Sequence, residues 1–317
     1  MTFYRLAKSK YSDNVPAFNA DGLKMINYYH GLENVFVCET DDAFTTALEV
    51  IKNDVSTKDF NLSLVRKFFD GHVHPIKIER RDGKDNIVVM DSKGQPFDNL
   101  YFTSSLINLQ KHLKGDIYYA STEIQKDHHS CYTFTAKILS KMSNTTDLAK
   151  ELENYKVGES VTNSIKVIEC KYPERFAILA QSKEEIRDYM SDSLFHEGGI
   201  FKNKEGVGQT FEDKIYKPRT SGGVQTPYTY DENLVPSLLD YFARKYAQKI
   251  DEVIERLEPA EVSRILNNQD SGCLTAEKLL NIGAETGSDS LEEKSMSPTS
   301  GTSVVKAHSA SVSEGKS

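Results

Sequence analysis

One cysteine lies where a polar stretch gives way to an apolar pattern with helical spacing. The segment QKDHHSCYTFTAKIL (125–139) contains Cys131, preceded by Ser130 and followed by Phe134 and Ile138. Ser130 is a suitable N-cap, so the thiol is expected in the first helical turn, where backbone N–H groups and the helix dipole lower the thiol pKa. Cys131 is therefore a candidate nucleophile. The alternative is a small core residue at a helix start, because free cysteine is among the most buried residue types.

Two histidines and an aspartate could supply the base that a nucleophilic thiol requires. His72 and His74 are two residues apart in a predicted strand, so both rings face the same side. The turn signal Asp82-Gly83 predicts a hairpin that brings Asp91, at the end of the partner strand, across from His72 or His74. A carboxylate beside an imidazole fixes its tautomer and raises its basicity. The alternative is an ordinary cross-strand polar pair.

Gln125 lies six residues before Cys131, in the loop that enters the predicted helix. A side-chain amide at that place can donate to an oxyanion, together with the backbone N–H of Cys131. A glutamine in a loop carries no chemistry by itself, so this role depends on the other three residues.

The histidines also raise the possibility of a metal site. The residues of zinc-ligand type in these segments are His72, His74, His128, His129 and Cys131. Their spacing matches none of the common zinc motifs, so no metal is predicted.

Periodicity and turn signals predict the elements that must position these groups. Helices are expected from about residue 41 to 54, over 58–70, 101–113, 131–142, 183–195, 260–267 and 275–282, and in a long helix with Pro236 in its first turn. Strands are expected near 36–40, in the hairpin 72–91 and at 116–122, whereas 164–170 and 175–182 fit strands or a strand–helix edge. Residues 198–227 are rich in glycine and polar residues and are expected to be mostly loop.

Length and composition restrict the class of protein. A chain of 317 residues with 38% hydrophobic content can form one large domain or two smaller ones. The net charge of −8 disfavours nucleic acid as the main partner, because phosphate binding needs a basic face. The N-terminal residues contain no apolar signal-peptide region, and no apolar stretch is long enough to span a membrane. The four cysteines form no CxxC pair, which suits free thiols in a reducing compartment.

The order His, acid, Gln, Cys resembles the ubiquitin-like-protease superfamily of cysteine enzymes, and the segments are most similar to the YopJ family of bacterial effector acetyltransferases. GHVHPIKIERRDGKDNIVVMDS (71–92) resembles that family's His–Glu hairpin, and QKDHHSC (125–131) matches the superfamily's Gln-to-Cys spacing. The family spacing selects His72 over His74 as the base, since Asp91 then lies nineteen residues downstream. The resemblance implies an α+β, cysteine-protease-like core with a mixed sheet flanked by helices, plus a helical regulatory part.

The chain departs from the family pattern at three positions. Asp91 stands where the family usually has glutamate, and a shorter acid can still orient the ring. Ser130 and Tyr132 flank the cysteine, where the family usually has an acidic residue and a glycine. Tyr132 is expected to narrow the acyl-binding slot or to indicate lost activity.

The resemblance implies a two-step acyl transfer. His72 would take the proton of Cys131, the sulfur would attack acetyl-CoA, and Gln125 would hold the oxyanion. The acetyl group would then pass to a serine, threonine or lysine of a host protein. Asp91 would orient His72 throughout.

The family also uses inositol hexakisphosphate as a host-derived activator, bound in a basic pocket of the regulatory part. The candidates for this contact are Lys217, Arg219, Arg244 and Lys245, since Arg and Lys suit dense phosphate. Lys217 lies in IYKPRTS (215–221), which resembles the family's Lys-His-x-x-Ser segment, whose lysine is linked to autoacetylation. The alternative for all four is an ordinary solvated basic face.

The expected organisation has four parts. They are an irregular segment (1–35), a catalytic core (36–200), a helical regulatory part packing on the core (201–283) and a disordered serine-rich tail (284–317). Within the tail, LEEKSMSPTSGTS (291–303) resembles C-terminal translocation signals of type IV secretion effectors, although a plain disordered terminus would look the same. Delivery from a bacterium into the host cytoplasm is the expected localisation.

Two other functions remain open on the sequence alone. The same fold and triad could form a protease acting on ubiquitin or ubiquitin-like conjugates, but Val73 replaces the tryptophan common after the catalytic histidine of those proteases. A catalytically degenerate module that binds a host protein is the other alternative, and Tyr132 and Asp91 are its best support.

Overall fold

The computed structural model of the chain describes residues 1–7, 14–68, 70–94, 100–120, 122–162, 165–177, 179–181, 201–202, 208–209, 219–221, 224–226 and 238–288. Its strands are β1 (Tyr4–Ala7), β2 (Val15–Phe18), β3 (Val35–Cys38), β4 (Phe60–Lys67), β5 (Val73–Arg81), β6 (Lys84–Met90), β7 (Gly115–Ala120), β8 (Lys156–Thr162), β9 (Ile165–Cys170), β10 (Phe201–Lys202), β11 (Gly208–Gln209), β12 (Arg219–Ser221) and β13 (Val224–Thr226). Its helices are α1 (Ala20–Tyr29), α2 (Asp41–Asn53), α3 (Leu100–His112), α4 (Cys131–Met142), α5 (Leu148–Leu152), α6 (Glu174–Ala177), α7 (Leu238–Ile254), α8 (Pro259–Asn268) and α9 (Ala276–Ser288).

The core of the fold is a mixed sheet of seven strands in the order β3-β4-β5-β6-β7-β9-β8. The pairs β3–β4, β6–β7 and β7–β9 are parallel, and the other three pairs are antiparallel. Helices cover both faces: α1, α4, α7 and α8 share one hydrophobic cluster with the sheet, and α2, α3 and α9 share the other. The predicted α+β class with a mixed sheet flanked by helices is therefore confirmed. Among the helices of these described residues, none has the length and apolar character that a membrane span requires.

The predicted hairpin is present as β5 and β6. Its turn residues Asp82 and Gly83 both have positive φ angles, 50° and 76°, as a two-residue type I′ turn requires. The register of the two strands, continued past the end of β6, sets Asp91 opposite His74. Because side chains alternate along a strand, this register also keeps His72 on the same face.

Residues 58–70 contain strand β4, so the helix predicted there is wrong. Leu62 and Leu64 pack into one hydrophobic cluster and Val65 into the other. β4 lies between β3 and β5, with helices on both faces of the sheet, and its sequence therefore lacks a clean polar–apolar alternation. Periodicity alone does not separate such a strand from a buried helix.

Residues 1–35 are not irregular, in contrast to the expectation from the sequence. β1 and β2 form an antiparallel pair, and α1 follows them. α1 buries Lys24 and Asn27 beside its apolar residues, because Lys24 pairs with Asp270 and Asn27 donates to Gln269 at 3.0 Å. Those partners are remote in sequence. The sequence around Lys24 and Asn27 therefore appears polar, and it does not show that this helix is buried.

The C-terminal helices follow the predicted pattern closely. α8 and α9 confirm the helices expected at 260–267 and 275–282, and Tyr246 and Ile250 of the predicted apolar stripe of α7 are buried. The expected disordered tail is wrong for residues 284–288, because α9 continues through them.

A glycine explains the misplaced end of α9. A side chain at Gly283 would come within 2.4 Å of a methyl group of Thr57 and 2.8 Å of the backbone carbonyl of Asp59. Gly283 therefore permits close packing of α9 rather than ending it. The predicted helix at 183–195, the position of Pro236 and the tail beyond residue 288 lie outside the described residues, and the division into four parts stays a prediction.

Candidate active site

The start of β5 and the end of β6 bring a carboxylate and two imidazoles together. His72 precedes β5, His74 is the second residue of β5, and Asp91 follows β6. Nε2 of His72 lies 2.8 Å from Oδ1 of Asp91, and Nε2 of His74 lies 3.3 Å from the same oxygen. The two rings meet edge to face with their centroids 4.6 Å apart. The convergence expected from the hairpin is present, and Asp91 contacts both histidines.

Asp91 is completely buried and held on both carboxylate oxygens. Oδ1 also accepts the backbone N–H of Lys93 at 2.9 Å, and Oδ2 accepts the hydroxyl of Tyr119 at 3.1 Å. Burial alone would raise the pKa of Asp91, but the charge of His74 and the hydrogen bond from His72 hold that pKa well below its usual range. The carboxylate is therefore ionised at neutral pH and can fix the orientation of His72.

The ring of His72 has one nitrogen, Nδ1, that can accept a proton. Burial lowers the pKa of His72, the hydrogen bond with Asp91 opposes that effect, and the charge of His74 adds to it. The imidazole is neutral at neutral pH, and its proton sits on Nε2, where the carboxylate accepts it. Nδ1 is buried and has no hydrogen-bond partner among the described residues, so it is the nitrogen available as a base.

Cys131 is the first residue of α4, where the sequence placed it, and it is 7% exposed. Its Sγ lies 3.8 Å from the backbone carbonyl oxygen of Gly71, the residue that precedes His72. The thiol thus lies beside the backbone of the proposed base, but no hydrogen bond joins it to the described ring of His72. Nucleophile–base contacts in ligand-free enzymes are often loose and tighten only when substrate binds.

The expectation of a lowered thiol pKa is wrong. Burial raises the pKa of Cys131 to about 11, which outweighs the opposite effects of the Lys93 charge and of the backbone amides of Tyr132 and Cys131. The backbone amides at the start of the helix therefore lower the thiol pKa, as predicted, but by less than burial raises it. Thiol and imidazole therefore both rest neutral and do not form a stable ion pair, so a nucleophilic role for Sγ would require a base to take its proton during the attack.

Gln125 is buried in the loop that precedes Cys131. Its Oε1 accepts the hydroxyl of Ser92 at 2.7 Å, and its Nε2 donates to the backbone carbonyl of Asp127 at 2.9 Å. Its backbone N–H donates to the carbonyl of Ser92 at 2.7 Å. Gln125 thus links the turn after Asp91 to the loop before Cys131. Nε2 has two protons: the carbonyl of Asp127 accepts one, and the nearest other acceptor is Oδ1 of Asp127, at the longer distance of 3.5 Å.

Several residues of the site were missed by sequence reasoning. Tyr119 lies on β7, a predicted strand, but only the parallel pairing of β7 with β6 places its hydroxyl on Asp91. Lys93 and Gln181 had no recognisable signal. Asp127 had one, because an aspartate three residues before a serine often accepts that residue's backbone N–H, as it does here at 2.8 Å from Ser130.

Tyr132 is buried, and it packs in the hydrophobic cluster that α1, α4 and α7 share. The aromatic ring at this position is therefore part of the core beneath the site. The expectation that it narrows an acyl-binding slot has no support in this packing.

The two imidazoles and the carboxylate also form a group with metal-ligand geometry. One ligand atom from each of His72, His74 and Asp91 lies within 4.8 Å of the others, and all three residues are buried. His128, His129 and Cys131, the other zinc-type residues considered above, do not belong to this group.

The residues expected to contact inositol phosphate lie in different places. Lys217 is outside the described residues, and Arg219 begins β12. Arg244 and Lys245 lie on α7, partly exposed.

Lys245 belongs to a basic cluster with Lys137, His30 and Tyr246. Burial lowers the pKa of His30 to about 4, and the charges of Lys137 and Lys245 contribute to that shift. The His30 and Tyr246 rings are in edge-to-face contact, 5.4 Å apart. Nε2 of His30 and the hydroxyl of Tyr246 are buried and have no hydrogen-bond partner among the described residues. Nζ of Lys137 lies 3.8 Å from the centre of the Phe242 ring. The basic cluster therefore combines two cations with two buried polar atoms that have no hydrogen-bond partner among the described residues.

Comparisons with known proteins give a family and a fold. Residues 27–232 match the family described as YopJ serine/threonine acetyltransferase. The structure of HopZ1a in complex with IP6 is similar, with a TM-score of 0.54, 7% identity and coverage of 74% of this chain and 84% of that chain. HopZ1a in complex with IP6 and CoA has a TM-score of 0.50, 12% identity and coverage of 74% and 83%. A comparison with curated protein sequences finds no match.

At these identities the likeness to HopZ1a shows the fold, and it confirms the fold class expected from the sequence. The family match spans more than half of the chain, and its range includes His72, Asp91, Gln125 and Cys131. The chain belongs to the YopJ serine/threonine acetyltransferase family.

Proposed function

We propose that this protein moves an acetyl group from acetyl-CoA, through a thioester on Cys131, to a serine, threonine or lysine of a host protein. The observation that carries this proposal is the state of His72. Its Nε2 is held by Asp91 at 2.8 Å, and its buried Nδ1 is unpaired among the described residues, on the strand end that Cys131 contacts. Family membership selects acyl transfer from the reactions that such a triad can perform.

In the first half-reaction, Nδ1 of His72 takes the proton of Sγ while the sulfur attacks the acetyl carbonyl. A new S–C bond forms on Cys131, and the S–C bond of acetyl-CoA breaks. The leaving CoA thiolate receives the proton from His72, so the enzyme ends with a neutral imidazole and an acetyl thioester. Asp91 stabilises the imidazolium that exists between these transfers.

In the second half-reaction, Nδ1 of His72 takes the proton of the acceptor hydroxyl or amine. The acceptor oxygen or nitrogen bonds to the acetyl carbon, the thioester bond breaks, and the proton returns to Sγ of Cys131. A negative charge develops on the acetyl oxygen in both halves. The remaining proton of Gln125 Nε2 and the backbone amides at the start of α4 are the donors proposed to stabilise that oxyanion.

HopZ1a in complex with IP6 and CoA supports the choice of cosubstrate and activator, since it shares the fold of this chain. The basic cluster fits inositol hexakisphosphate on its own chemistry. Its two lysines supply charge, and Nε2 of His30 and the hydroxyl of Tyr246 lack the partners that buried polar atoms normally have. Arg244 lies next to Lys245 on α7 and is proposed as a further contact. Bound phosphate would supply only stability and orientation of the helical part.

The proposed activity is tested by incubating the purified protein with radiolabelled acetyl-CoA and a host-cell lysate. Label is expected on Cys131 as a thioester that neutral hydroxylamine removes, and as stable label on lysate proteins. Inositol hexakisphosphate is expected to increase both. Cleavage of ubiquitin C-terminal reporters without any label would establish the protease alternative instead, and absence of both activities would establish a non-catalytic protein.

A second experiment tests the basic cluster by binding, independently of activity. Changing Lys245 to alanine is expected to weaken calorimetric binding of inositol hexakisphosphate about ten- to a hundredfold, since a hydrogen bond to a charged group contributes about 1.5–3 kcal/mol. Lys137→Ala should have a similar effect. Lys52→Ala is the matched control, because Lys52 is exposed on α2, which packs on the opposite face of the sheet. Equal affinity in all three variants would place the phosphate elsewhere.

A further inference from the structure

The loop that leads to Cys131 is held by one carboxylate. Oδ1 of Asp127 accepts the backbone N–H groups of His129 at 3.1 Å and Ser130 at 2.8 Å. Oδ2 accepts the hydroxyl of Ser130 at 2.6 Å. Burial would raise the pKa of Asp127, but the hydrogen bonds from Ser130 and Gln181 lower it, so the group is ionised. A single charged side chain therefore fixes the two residues before the nucleophile.

Gln181 holds this carboxylate from a distant part of the chain. Its Nε2 donates to Oδ2 of Asp127 at 2.6 Å, and its Oε1 accepts the backbone N–H groups of Lys126 at 2.8 Å and Asp127 at 3.2 Å. Its own N–H donates to the carbonyl of Ile124 at 2.8 Å. Gln181 is 7% exposed, so these bonds are shielded from water. We use the name Asp127–Gln181 clamp for this pair.

The clamp acts directly on the start of α4. Ser130 occupies the N-cap position but makes no capping bond to the helix, because its hydroxyl is committed to Asp127. The backbone amides of Cys131 and Tyr132 point at the sulfur and lower the pKa of the thiol. Gln125, whose Nε2 donates to the carbonyl of Asp127, is bound to the same loop.

We propose that Asp127 and Gln181 are positioning residues for acyl transfer, which hold Gln125 and the first amides of α4 around the sulfur of Cys131. This inference rests on the proposed function, because the reaction that the clamp would assist is the proposed acetyl transfer. Its structural reason is that the loop 125–130 has no secondary structure of its own, and its amides would otherwise have no fixed direction. A misplacement of about 1 Å among reacting groups can reduce a rate about a hundredfold.

An exchange of the two side-chain chemistries tests the clamp. Asp127→Asn replaces an accepting oxygen with an amide that would face the donating Nε2 of Gln181. Gln181→Glu places a second carboxylate against Asp127. The double variant, D127N with Q181E, restores a donor–acceptor pair, because the amide of the new asparagine can donate to the new glutamate, which still accepts the N–H groups of Lys126 and residue 127.

Each single variant is expected to reduce kcat for acetyl transfer about ten- to a hundredfold with little change in KM, because the reacting groups lose their alignment. The double variant is expected to recover to within about threefold of the wild type. The matched control is the pair D42N and Q110E, which carries the same two chemical changes on exposed positions of α2 and α3. Melting temperatures of all variants show whether a lost rate reflects unfolding.

A second measurement separates the clamp from the proposed activity. Mass spectrometry of the Cys131 peptide gives its alkylation rate by iodoacetamide, which requires no acetyl-CoA. Both single variants are expected to react several-fold faster than the wild type, because a loosened loop exposes a thiol that is only 7% exposed. Asp127→Asn also removes a charge that raises the pKa of the thiol, whereas Gln181→Glu adds a charge, so a faster rate in both variants indicates exposure rather than charge. The double variant is expected to return to the wild-type rate.

The outcomes differ for the two proposals. If the wild type transfers no acetyl group but the alkylation pattern holds, the proposed function fails and the clamp stands as a device that shields the thiol. If the double variant loses as much rate as the two single variants combined, or if the single variants change only the melting temperature, the clamp has no positioning role and the inference is wrong.

Discussion

Replacing Cys131 with alanine is expected to abolish acetyl transfer, with a loss of at least about 10⁴-fold in kcat, because the residues of a nucleophilic triad act as a unit. No hydroxylamine-sensitive label should appear on the variant. The physical reason is that in the proposed mechanism only Cys131 forms the S–C bond of the intermediate, and water or a neighbouring hydroxyl is a much weaker nucleophile. The measurement is label per mole of enzyme after rapid quenching, together with steady-state transfer to a host acceptor.

Two further variants test whether the loss of activity in Cys131→Ala is specific to that cysteine. Cys273→Ala makes the same chemical change at a half-exposed cysteine whose Sγ lies 2.9 Å from the carbonyl of Asn267, and it should keep full activity. Adding His72→Ala to Cys131→Ala should cost nothing more, because the base has no proton left to take. Transfer by Cys131→Ala within tenfold of the wild-type rate would show that the nucleophile lies elsewhere in the chain.

Asp91→Asn is the second large effect, with an expected loss of about 10³- to 10⁴-fold in kcat and a folded protein. Asparagine keeps the size of the side chain in a site with no solvent exposure. Its amide, however, can donate to Nε2 of His72, which moves the imidazole proton to Nδ1. The nitrogen proposed as the base would then be a donor and could not accept the proton of the thiol.

The Asp91→Asn variant is also expected to shift the pH dependence of the reaction in a definite direction. The charge of Asp91 and its hydrogen bond raise the pKa of His72 against the lowering by burial, so their removal should lower that pKa further. Since the base works only when neutral, the acid limb of kcat/KM for Asp91→Asn should shift to lower pH, while the plateau falls. In the wild type the acid limb should already lie below the ordinary histidine value of 6.5, because burial dominates.

Asp116→Asn is the matched control for Asp91→Asn, since Asp116 is a half-exposed aspartate paired with Lys84. It should leave the rate and the pH profile unchanged. An Asp91→Asn enzyme with a wild-type plateau would mean that the carboxylate is only structural. Circular dichroism and the melting temperature of each variant exclude unfolding as the cause of a lost rate.

Asp91 can orient His72 although its side chain is shorter than the glutamate that the family usually has at this position. Asp91 lies opposite His74 in the register of the hairpin, and Tyr119 holds its second oxygen at 3.1 Å. Those contacts fix the carboxylate close to Nε2 of His72 without the extra methylene of a glutamate. The departure from the family's usual residue at this position is therefore compatible with the orienting role, and it gives no support to the reading of a degenerate protein.

Local signals were strong enough for the sequence to predict most elements of the site. The turn at Asp82-Gly83 has one favoured geometry, so it fixed the hairpin and the shared face of His72, His74 and Asp91. The apolar spacing after Ser130 likewise placed Cys131 at the first position of α4. The family followed from the order of these residues.

The remaining features of the fold and the site are decided only by the tertiary structure, because they depend on partners that are remote in sequence. The strand at 60–67 is buried on both faces and loses the pattern that marks a strand, and Lys24 is buried only because Asp270 pairs with it. The thiol pKa of Cys131 rises because packing removes water, an effect that no local spacing encodes. The contacts of Tyr119 with Asp91 and of Gln181 with Asp127 likewise required the folded sheet and loops to bring distant segments together.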